Sequence, residues 1–242
     1  NRNKVLNIGS QEKSGYVVDK NGLRYEPYGS GIFSDAYLNV LAIGQPVNAF
    51  YGYEVDGIIQ EMPDNPVKMT RPGEFNYVGL REDGTLDPDM RRIIGDPNPD
   101  FTSSLNLQLR HDAGIDFSLM LYAMYGNDVF STRKLDRISL QKDRWTGENP
   151  NNVRPKLRAD RQYFASSWFV EDGSFLRIQH VTLGYTFQRI PFLQQARIFL
   201  NATNPIVFSN VSEYDPEVGE NGRGSAPYPR VAIYTAGLQL KF

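Results

Sequence analysis

The sequence contains no cysteine, only two tryptophans and two histidines, and no long apolar run. A disulfide framework and thiolate chemistry are therefore excluded. The longest apolar stretch, residues 119–124, is much shorter than the ~18 residues that a membrane-spanning helix requires. The formal net charge of -2 gives no bulk attraction to nucleic acid or to an anionic lipid surface. We therefore expect neither a helical membrane protein nor a nucleic-acid-binding protein.

The first residues, NRNKVLNIGS, also lack features that mark a natural beginning. There is no initiator methionine, no apolar segment of the signal-peptide kind and no small-residue cleavage site. We therefore expect the chain to begin at a processed end or inside a longer polypeptide. An internal repeat of ~20–50 residues is not visible either.

Strict alternation of apolar and polar residues is the strongest pattern in the sequence. In SLNLQLR, leucines at 105, 107 and 109 alternate with Asn106, Gln108 and Arg110. The composition of residues 111–114, HDAG, predicts a turn, and IDFSLMLYAMYG then returns with Ile115, Phe117, Leu119 and Leu121 on one face. This pattern predicts a β-hairpin whose second strand has roughly the ten residues that a tilted transmembrane strand needs.

A second hairpin and a closing strand follow. Residues 174–187 and 196–204 alternate in the same way on either side of the proline-containing segment QRIPFLQQ. The closing strand, RVAIYTAGLQLKF, places Ala232, Tyr234, Ala236, Leu238 and Leu240 on one face and Thr235, Gly237, Gln239 and Lys241 on the other.

The connections between these strands are of two kinds. Residues 111–114 and 188–194 are short, whereas about 131–172 and 209–229 are long and polar. An outer-membrane barrel has short turns at one end and long loops at the other, with aromatic girdles near its strand ends. The aromatic residues in suitable positions are Tyr125, Phe130, Tyr185, Phe187, Phe208 and Phe242. A soluble antiparallel β-domain is the alternative interpretation.

Several stretches resemble the SusC/RagA family of TonB-dependent outer-membrane transporters. They are GQPVNAFYGYEVDGIIQ (44–60), IGDPNPDFTSSLNLQL (94–109), YGNDVFSTRKL (125–135), RWTGENPNN (144–152), WFVEDGSFLRIQHVTLGYTF (168–187), SEYDPEV (212–218) and YPRVAIYTAGLQLKF (228–242). The resemblance covers about 44–242, and the segments follow the order of the family.

The resemblance implies an all-β fold, namely an antiparallel transmembrane β-barrel segment with long extracellular loops. Residues 1–242 would be the C-terminal portion of a barrel of ~22 strands, contributing about six to eight of them. The plug domain and the TonB-contacting segment of such transporters are not in these residues. The closing strand would turn its apolar row to lipid and its polar row to the lumen, and Phe242 would be the signal that the barrel-assembly machinery recognises.

The resemblance also implies a function and partners. The expected activity is TonB-dependent import of oligosaccharides or peptides across the bacterial outer membrane, without a cofactor. The expected partners are a SusD-like surface lipoprotein, TonB through the missing N-terminal part, the rest of the same barrel, outer-membrane lipid and the glycan or peptide, but no nucleic acid. A soluble carbohydrate-binding β-sheet module and a metal-chelate or vitamin receptor are the alternatives.

The segment REDGTLDPDM (81–90) lies where family members often have an EF-hand-like calcium loop. Asp83, Gly84 and Asp87 fit such a loop, but Gly79, Arg81 and Met90 occupy positions that need oxygen ligands. We therefore expect the turn to be kept and the metal site to be lost.

Aromatic residues with neutral polar neighbours are the candidates for ligand contact, because sugars and peptides stack on such rings. They lie in three loop segments and are Tyr77, Tyr163, Trp168 and Tyr214. The alternative is a structural role, in which these rings pack the loops against one another.

Catalysis has little support in the sequence. His111 and His180 have no partner nearby in sequence, and the carboxylate pairs 171–172 and 213–215 lie in polar segments where chance explains them. Phosphate-binding glycine loops and nucleophile elbows are missing from the sequence. We therefore expect a protein that is not an enzyme.

Overall fold

The chain folds almost entirely into β-strands, as its alternating pattern predicts. The computed structural model describes residues 3–7, 17–18, 24–28, 38–136, 144–158, 163–188, 190–212, 215–224 and 230–242. In chain order the elements are β1 (Val17–Val18), β2 (Arg24–Tyr28), β3 (Asn39–Ala42), β4 (Ala49–Gly52), β5 (Val55–Ile58), β6 (Phe75–Tyr77), a 3-10 turn (Pro88–Met90), β7 (Arg92–Gly95), β8 (Phe101–Arg110), β9 (Ile115–Tyr125), β10 (Asp128–Ser131), α1 (Arg133–Asp136), a 3-10 turn (Ser167–Phe169), β11 (Val170–Asp172), β12 (Phe175–Phe187), β13 (Gln195–Ser209), β14 (Arg223–Gly224) and β15 (Ile233–Lys241).

The dominant element is a five-stranded sheet in the order β15-β13-β12-β9-β8, which we call the long sheet. All of its neighbours are antiparallel, and its strands have between 9 and 15 residues. Both predicted hairpins are confirmed, as is the closing strand. β13 continues to Ser209, five residues beyond the predicted end at Asn204. Asn204 has a positive φ of 50°, and the ladder with β12 resumes at Ile206.

A bulge in β12 keeps the two faces of the long sheet distinct. Leu176 and Ile178 share one face of this strand at even positions, and Val181, Leu183 and Tyr185 continue that face at odd positions, while Phe175 lies on the other face. In the ladder, Ile178 lies opposite Leu121 and His180 lies opposite Met120, so Gln179 is an extra residue with no counterpart in β9. Because a one-residue slip exchanges the faces of a strand, the bulge returns the later apolar side chains to the same face as the earlier ones.

The two short turns lie at the same end of the long sheet. Gln188 Nε2 donates to the carbonyl oxygen of Asp112 at 2.7 Å, and the Thr186 amide donates to the carbonyl oxygen of Gly114 at 2.7 Å. At the opposite end, the Gly126 amide donates to Ser174 Oγ at 3.0 Å, where the long connections leave the sheet. The expectation that turns 111–114 and 188–194 share one end is therefore confirmed.

The remaining described residues of 38–100, 126–136, 144–174 and 215–224 pack into a second unit, which we call the loop body. It contains the sheets β11-β10-β14, β5-β6 and β1-β2-β3-β4-β7. The last of these also includes β1 and β2 from the earlier part of the chain. Phe130 has no exposed surface, and its ring centroid lies 5.7 Å from that of Phe50 and 5.2 Å from that of Phe169. The prediction of Phe130 as a girdle residue is therefore wrong, because its ring completes this core.

Among the described residues, five strands have nine residues or more, where six to eight were expected. Helical structure in the same residues is limited to the four-residue α1 and the two 3-10 turns.

None of the helical segments in the described part of the chain has the length and apolarity to cross a membrane.

Phe130→Ala should loosen the loop body by about 3–5 kcal/mol, because the change leaves a cavity between two aromatic rings. Hydrogen-exchange mass spectrometry of the purified protein should show lost amide protection in β4, β10 and β11. Ile43→Ala, at a half-exposed position of the same unit, is the control and should change little. Equal protection in both variants would contradict the assigned core.

Candidate functional site

The ladder sorts the side chains of the long sheet into an apolar face and a polar face. One register row joins Leu109, Phe117, Leu183, Leu200 and Ala236, and another joins Ile115, Tyr185, Ile198 and Leu238. Many of these side chains are exposed; Leu200 has 63% of its surface accessible. The two predicted residue rows are confirmed within β15, since Tyr234, Ala236, Leu238 and Leu240 all pair with apolar-face residues of β13, while Ala232 lies before the strand.

Every Asp, Arg, Lys and His side chain of the five strands lies on the polar face. These residues are Arg110, Asp116, Arg177, His180, Arg197 and Lys241. Neutral polar residues lie between the charged ones: Thr182 Oγ1 is 3.0 Å from His180 Nε2 and donates to Asn201 Oδ1 at 3.1 Å. Apart from apolar residues such as Met120, Phe175 and Phe199, the polar face therefore presents charges, hydroxyls and amides suited to contact with water or a polar solute.

An ion pair crosses one strand on this face. Arg197 of β13 donates through Nε to Asp116 Oδ1 at 2.9 Å and through Nη2 to Asp116 Oδ2 at 2.5 Å. Asp116 belongs to β9, so the pair spans β12, which lies between them. Arg197 Nη1 also lies 3.5 Å from Gln239 Oε1 of β15. One guanidinium thus links three strands in a geometry that two parallel hydrogen bonds fix.

Gly184 makes this crossing possible. A Cβ atom at this position would lie 2.5 Å from both Arg197 Nη2 and Asp116 Oδ1. Gly184 has no positive φ, so the requirement is for space rather than for a special backbone conformation. The sequence segment VTLGY contains this glycine, but only the strand register reveals which side chains pass over it.

A second glycine lies beneath an aromatic ring on the same face. Phe199 pairs with Gly184 on one side and with Gly237 on the other. A Cβ at Gly237 would lie 2.2 Å from the Phe199 ring, so the ring covers this glycine. Arg197 Cζ lies 5.1 Å from the centroid of that ring, close enough for a cation–π contact.

At the opposite end of the sheet, a buried ion network holds the segment 215–224. Arg177 Nη2 of β12 lies 2.6 Å from Asp215 Oδ1, and both side chains are almost fully buried. Arg230 Nη2 lies 2.9 Å from Glu217 Oε1. Farther along, the Phe130 amide donates to the carbonyl oxygen of Gly222 at 2.9 Å. This segment therefore ties the long sheet to the core of the loop body.

Three of the four aromatic residues predicted to contact a ligand meet around Phe75, which the sequence analysis did not single out. The Phe75 ring centroid lies 5.6 Å from that of Tyr77, 6.4 Å from that of Tyr163 and 5.0 Å from that of Trp168. Tyr77 is only 4% exposed, whereas Tyr163 and Trp168 are half-buried.

Trp168 is further fixed by polar contacts. Its Nε1 donates to the Val153 carbonyl oxygen at 2.9 Å, and Lys134 Nζ lies 5.1 Å from its ring centroid. Burial lowers the pKa of the Lys134 ammonium, against the opposing effect of Glu171. Tyr214 lies outside the described residues. A role for these four residues in ligand contact stays a prediction.

The 79–90 turn has the expected loop geometry, with positive φ at Gly79 and Gly84. Its carboxylates accept hydrogen bonds from the protein itself. Asp83 Oδ1 accepts from Thr85 Oγ1 at 2.6 Å and from the Thr85 amide at 2.9 Å, and these bonds hold the pKa of Asp83 below its ordinary value.

Asp87 is occupied in a similar way. Its Oδ1 accepts from the Asp89 amide at 3.0 Å and lies 3.0 Å from Arg81 Nη2. The replacement of a ligand position by Arg81 therefore supplies a fixed cation to one remaining carboxylate. Phe242 follows β15 and is 80% exposed.

Known proteins similar to the chain were found among curated proteins and solved structures. SusC of Bacteroides thetaiotaomicron, a TonB-dependent receptor, is 28% identical over 213 residues, which cover 83% of this chain and 20% of SusC. TonB-dependent receptor P3 of Formosa agariphila is 28% identical over 241 residues, covering 88% of this chain and 24% of that receptor. A chain of the RagAB peptide importer in its open-open state superposes with a TM-score of 0.66 at 19% identity, covering 99% of this chain and 25% of that one. The chain is homologous to SusC/RagA-type TonB-dependent receptors.

The chain spans about a quarter of the length of the relatives it matches. No family model matches it. The TonB-dependent receptor homologues are transporters rather than enzymes, and the homology implies the bacterial outer membrane. The mostly β-strand fold matches part of a RagA-like receptor structure.

Gly184→Val should break the ion pair above it and lower the midpoint of heat unfolding. Arg197→Ala should also lower it, but the double variant should be no less stable than Arg197→Ala alone. The expected coupling is about 0.5–3 kcal/mol, because the two residues compete for one space. Gel mobility of heated and unheated samples measures the midpoint. Gly147→Ala, where a Cβ would meet nothing within 4 Å, is the control; additive losses would contradict the crossing.

Proposed function

We propose that this chain is a C-terminal part of the transmembrane β-barrel of a SusC/RagA-type importer. The barrel would have ~22 strands, and the long sheet would be one section of its wall. In this arrangement the apolar face contacts lipid and the polar face lines the lumen. The loop body lies on the extracellular side, and the short turns lie in the periplasm.

The observation that carries this proposal is the exposed apolar face. Its strands have 9 to 15 residues, at or above the ~9–11 residues of a tilted transmembrane strand. Each large aliphatic side chain removed from water contributes ~1.5–3 kcal/mol, and no second layer among the described residues covers this face. All the charges lie on the other face, which supports lipid rather than water as the neighbouring medium.

The edges of the long sheet support the same interpretation. Among the described residues, β8 pairs only with β9 and β15 pairs only with β13. Each outer edge therefore carries backbone donors and acceptors that need further strands. A closed barrel satisfies both edges, since the remaining strands of the receptor would continue the ladder from β8 and close it on β15.

The proposed activity is TonB-dependent uptake of oligosaccharides or peptides across the outer membrane. Homology to SusC and to the RagAB peptide importer supports nutrient import. The RagAB structures are complexes, which supports a SusD-like surface lipoprotein as partner of the loop body. TonB would act through the part of the receptor outside these residues.

Leu238→Arg should prevent assembly of the full-length barrel, because a cation facing lipid costs about 2–4 kcal/mol near the middle of the membrane. Thr235→Arg, on the polar face of the same strand, should assemble normally. Thr235 is a better control than Gln239, which lies beside the Arg197 guanidinium. Heat-modifiable gel mobility reports assembly of each variant. Equal assembly of the two would contradict the assignment of the faces.

Deletion of the full-length gene should abolish uptake of oligosaccharides or peptides too large for porins, and a strain without TonB should show the same loss. Uptake of a monosaccharide that passes through porins is the control. In mild detergent, the receptor should co-purify with a surface lipoprotein in equal amounts. Unchanged uptake of every large solute after deletion would argue against an importer.

A further inference from the structure

The turn between β12 and β13 has an unfavourable backbone conformation for its sequence. Leu193 donates its amide to the carbonyl oxygen of Ile190 at 3.3 Å, with Pro191 and Phe192 between them. Phe192 has a φ of +69° at the third position of this turn, where glycine or asparagine is normal. The other non-glycine residues with positive φ in the described chain are both asparagines. A bulky phenylalanine is disfavoured in this region because its Cβ crowds the backbone.

The same residue is also unfavourably solvated. Phe192 is 100% exposed, the largest exposed fraction of any large apolar side chain in the described residues. The four residues of the turn, Ile190 to Leu193, are all apolar. Turn residues are normally glycine, asparagine, aspartate or serine. The ring of Phe192 therefore has no contact within the described chain that compensates for its exposure or for the strained backbone.

The neighbouring turn provides an internal comparison. Residues 111–114 lie at the same end of the sheet, where Gln188 reaches the Asp112 carbonyl oxygen. That turn has no large apolar residue and places Gly114, with a φ of +90°, at its positive-φ position. A turn at this end of the sheet can thus form without large apolar residues. The apolar tip of the second turn needs another explanation.

Continuity with the apolar face indicates what the tip contacts. Tyr185 and Phe187 end the apolar row of β12, are both exposed and pack edge-to-face with ring centroids 4.8 Å apart. Leu240, which pairs with Ala196, ends the same row in β15 and is also exposed. The apolar surface therefore runs directly to the end from which the 190–193 turn projects.

We propose that Phe192 inserts into the boundary between headgroups and acyl chains of the bilayer leaflet on the short-turn side. The ring acts as an anchor that sets the depth of the β12–β13 hairpin in the membrane. Insertion removes an apolar ring from water and so offsets the strain at Phe192. This inference rests on the proposed function, because it requires the apolar face to contact lipid.

Lipid contact can be tested with the full-length receptor in liposomes. Single variants Phe192→Cys, Asp112→Cys and Leu200→Cys are each labelled with the same neutral fluorophore, in a background where any other accessible cysteine has been replaced. The liposomes contain phospholipids brominated either near the carbonyl groups or near the middle of the acyl chains. Heat-modifiable gel mobility confirms that every variant has assembled.

The expected result is strong quenching at position 192 by the shallow bromines, weaker quenching by the deep ones, and none at position 112. The label at position 200 should be quenched most by the deep bromines. If position 200 is quenched and position 192 is not, the proposed membrane anchor at Phe192 is wrong, but the proposed barrel with its lipid-facing apolar face is still supported. If neither position is quenched, the lipid-facing assignment itself is wrong.

A variant without a label gives a second readout. Phe192→Trp should show a blue-shifted emission, relative to the parent receptor, that shallow bromolipids quench. A tryptophan that is quenched only by aqueous iodide would overturn the proposal. So would one that is protected from iodide only when periplasmic extract is added, since the ring would then contact a soluble protein.

Discussion

A β-sheet of one layer has two faces and no interior, so each face must meet a medium that suits its side chains. This constraint governs the long sheet. Its ladder places all the charges on one face and nearly all the large aliphatic side chains on the other. The bulge at Gln179 serves the same separation, because without it half of β12 would present its apolar residues to the polar side.

The loop body meets the constraint in the ordinary way, by burying its apolar residues against one another. Phe50, Phe130 and Phe169 form its centre and are fully buried. It is joined to the sheet by a buried ion pair, Arg177 with Asp215, rather than by apolar contact alone. A buried pair of this kind adds little net stability, but it tolerates few alternative geometries and so fixes where the 215–224 segment lies.

Sequence reasoning was most successful where one local rule decides the structure. The hairpins around 111–114 and 188–194 were predicted because period-two alternation and turn composition are both local signals. The Arg197–Asp116 pair was missed because its partners are 81 residues apart and meet only through the register of three strands. Phe130 was misassigned for a related reason, since its position after a long strand resembles a girdle while its ring packs against Phe50 and Phe169.

The aromatic candidates for ligand contact show the same limit, since their packing also depends on residues distant in sequence. Composition identified Tyr77, Tyr163 and Trp168 as rings with polar neighbours, but it could not indicate that all three pack around Phe75. The geometry of the 79–90 turn was easier to predict, because its glycines are visible in the sequence, while the loss of the metal site stays a prediction. The donors that occupy Asp83 and Asp87 are themselves neighbours in sequence, at Thr85, Asp89 and Arg81.

The ion pair that passes over Gly184 also restricts the order in which the protein can evolve. A side chain acquired at 184 while Arg197 and Asp116 are present displaces their hydrogen bonds and leaves two charges badly paired. If the charges at 197 and 116 are replaced first, the space over β12 opens and position 184 can accept other residues. Substitution at these three positions is therefore epistatic, and the mutational path that begins at the glycine is the one most strongly opposed by selection.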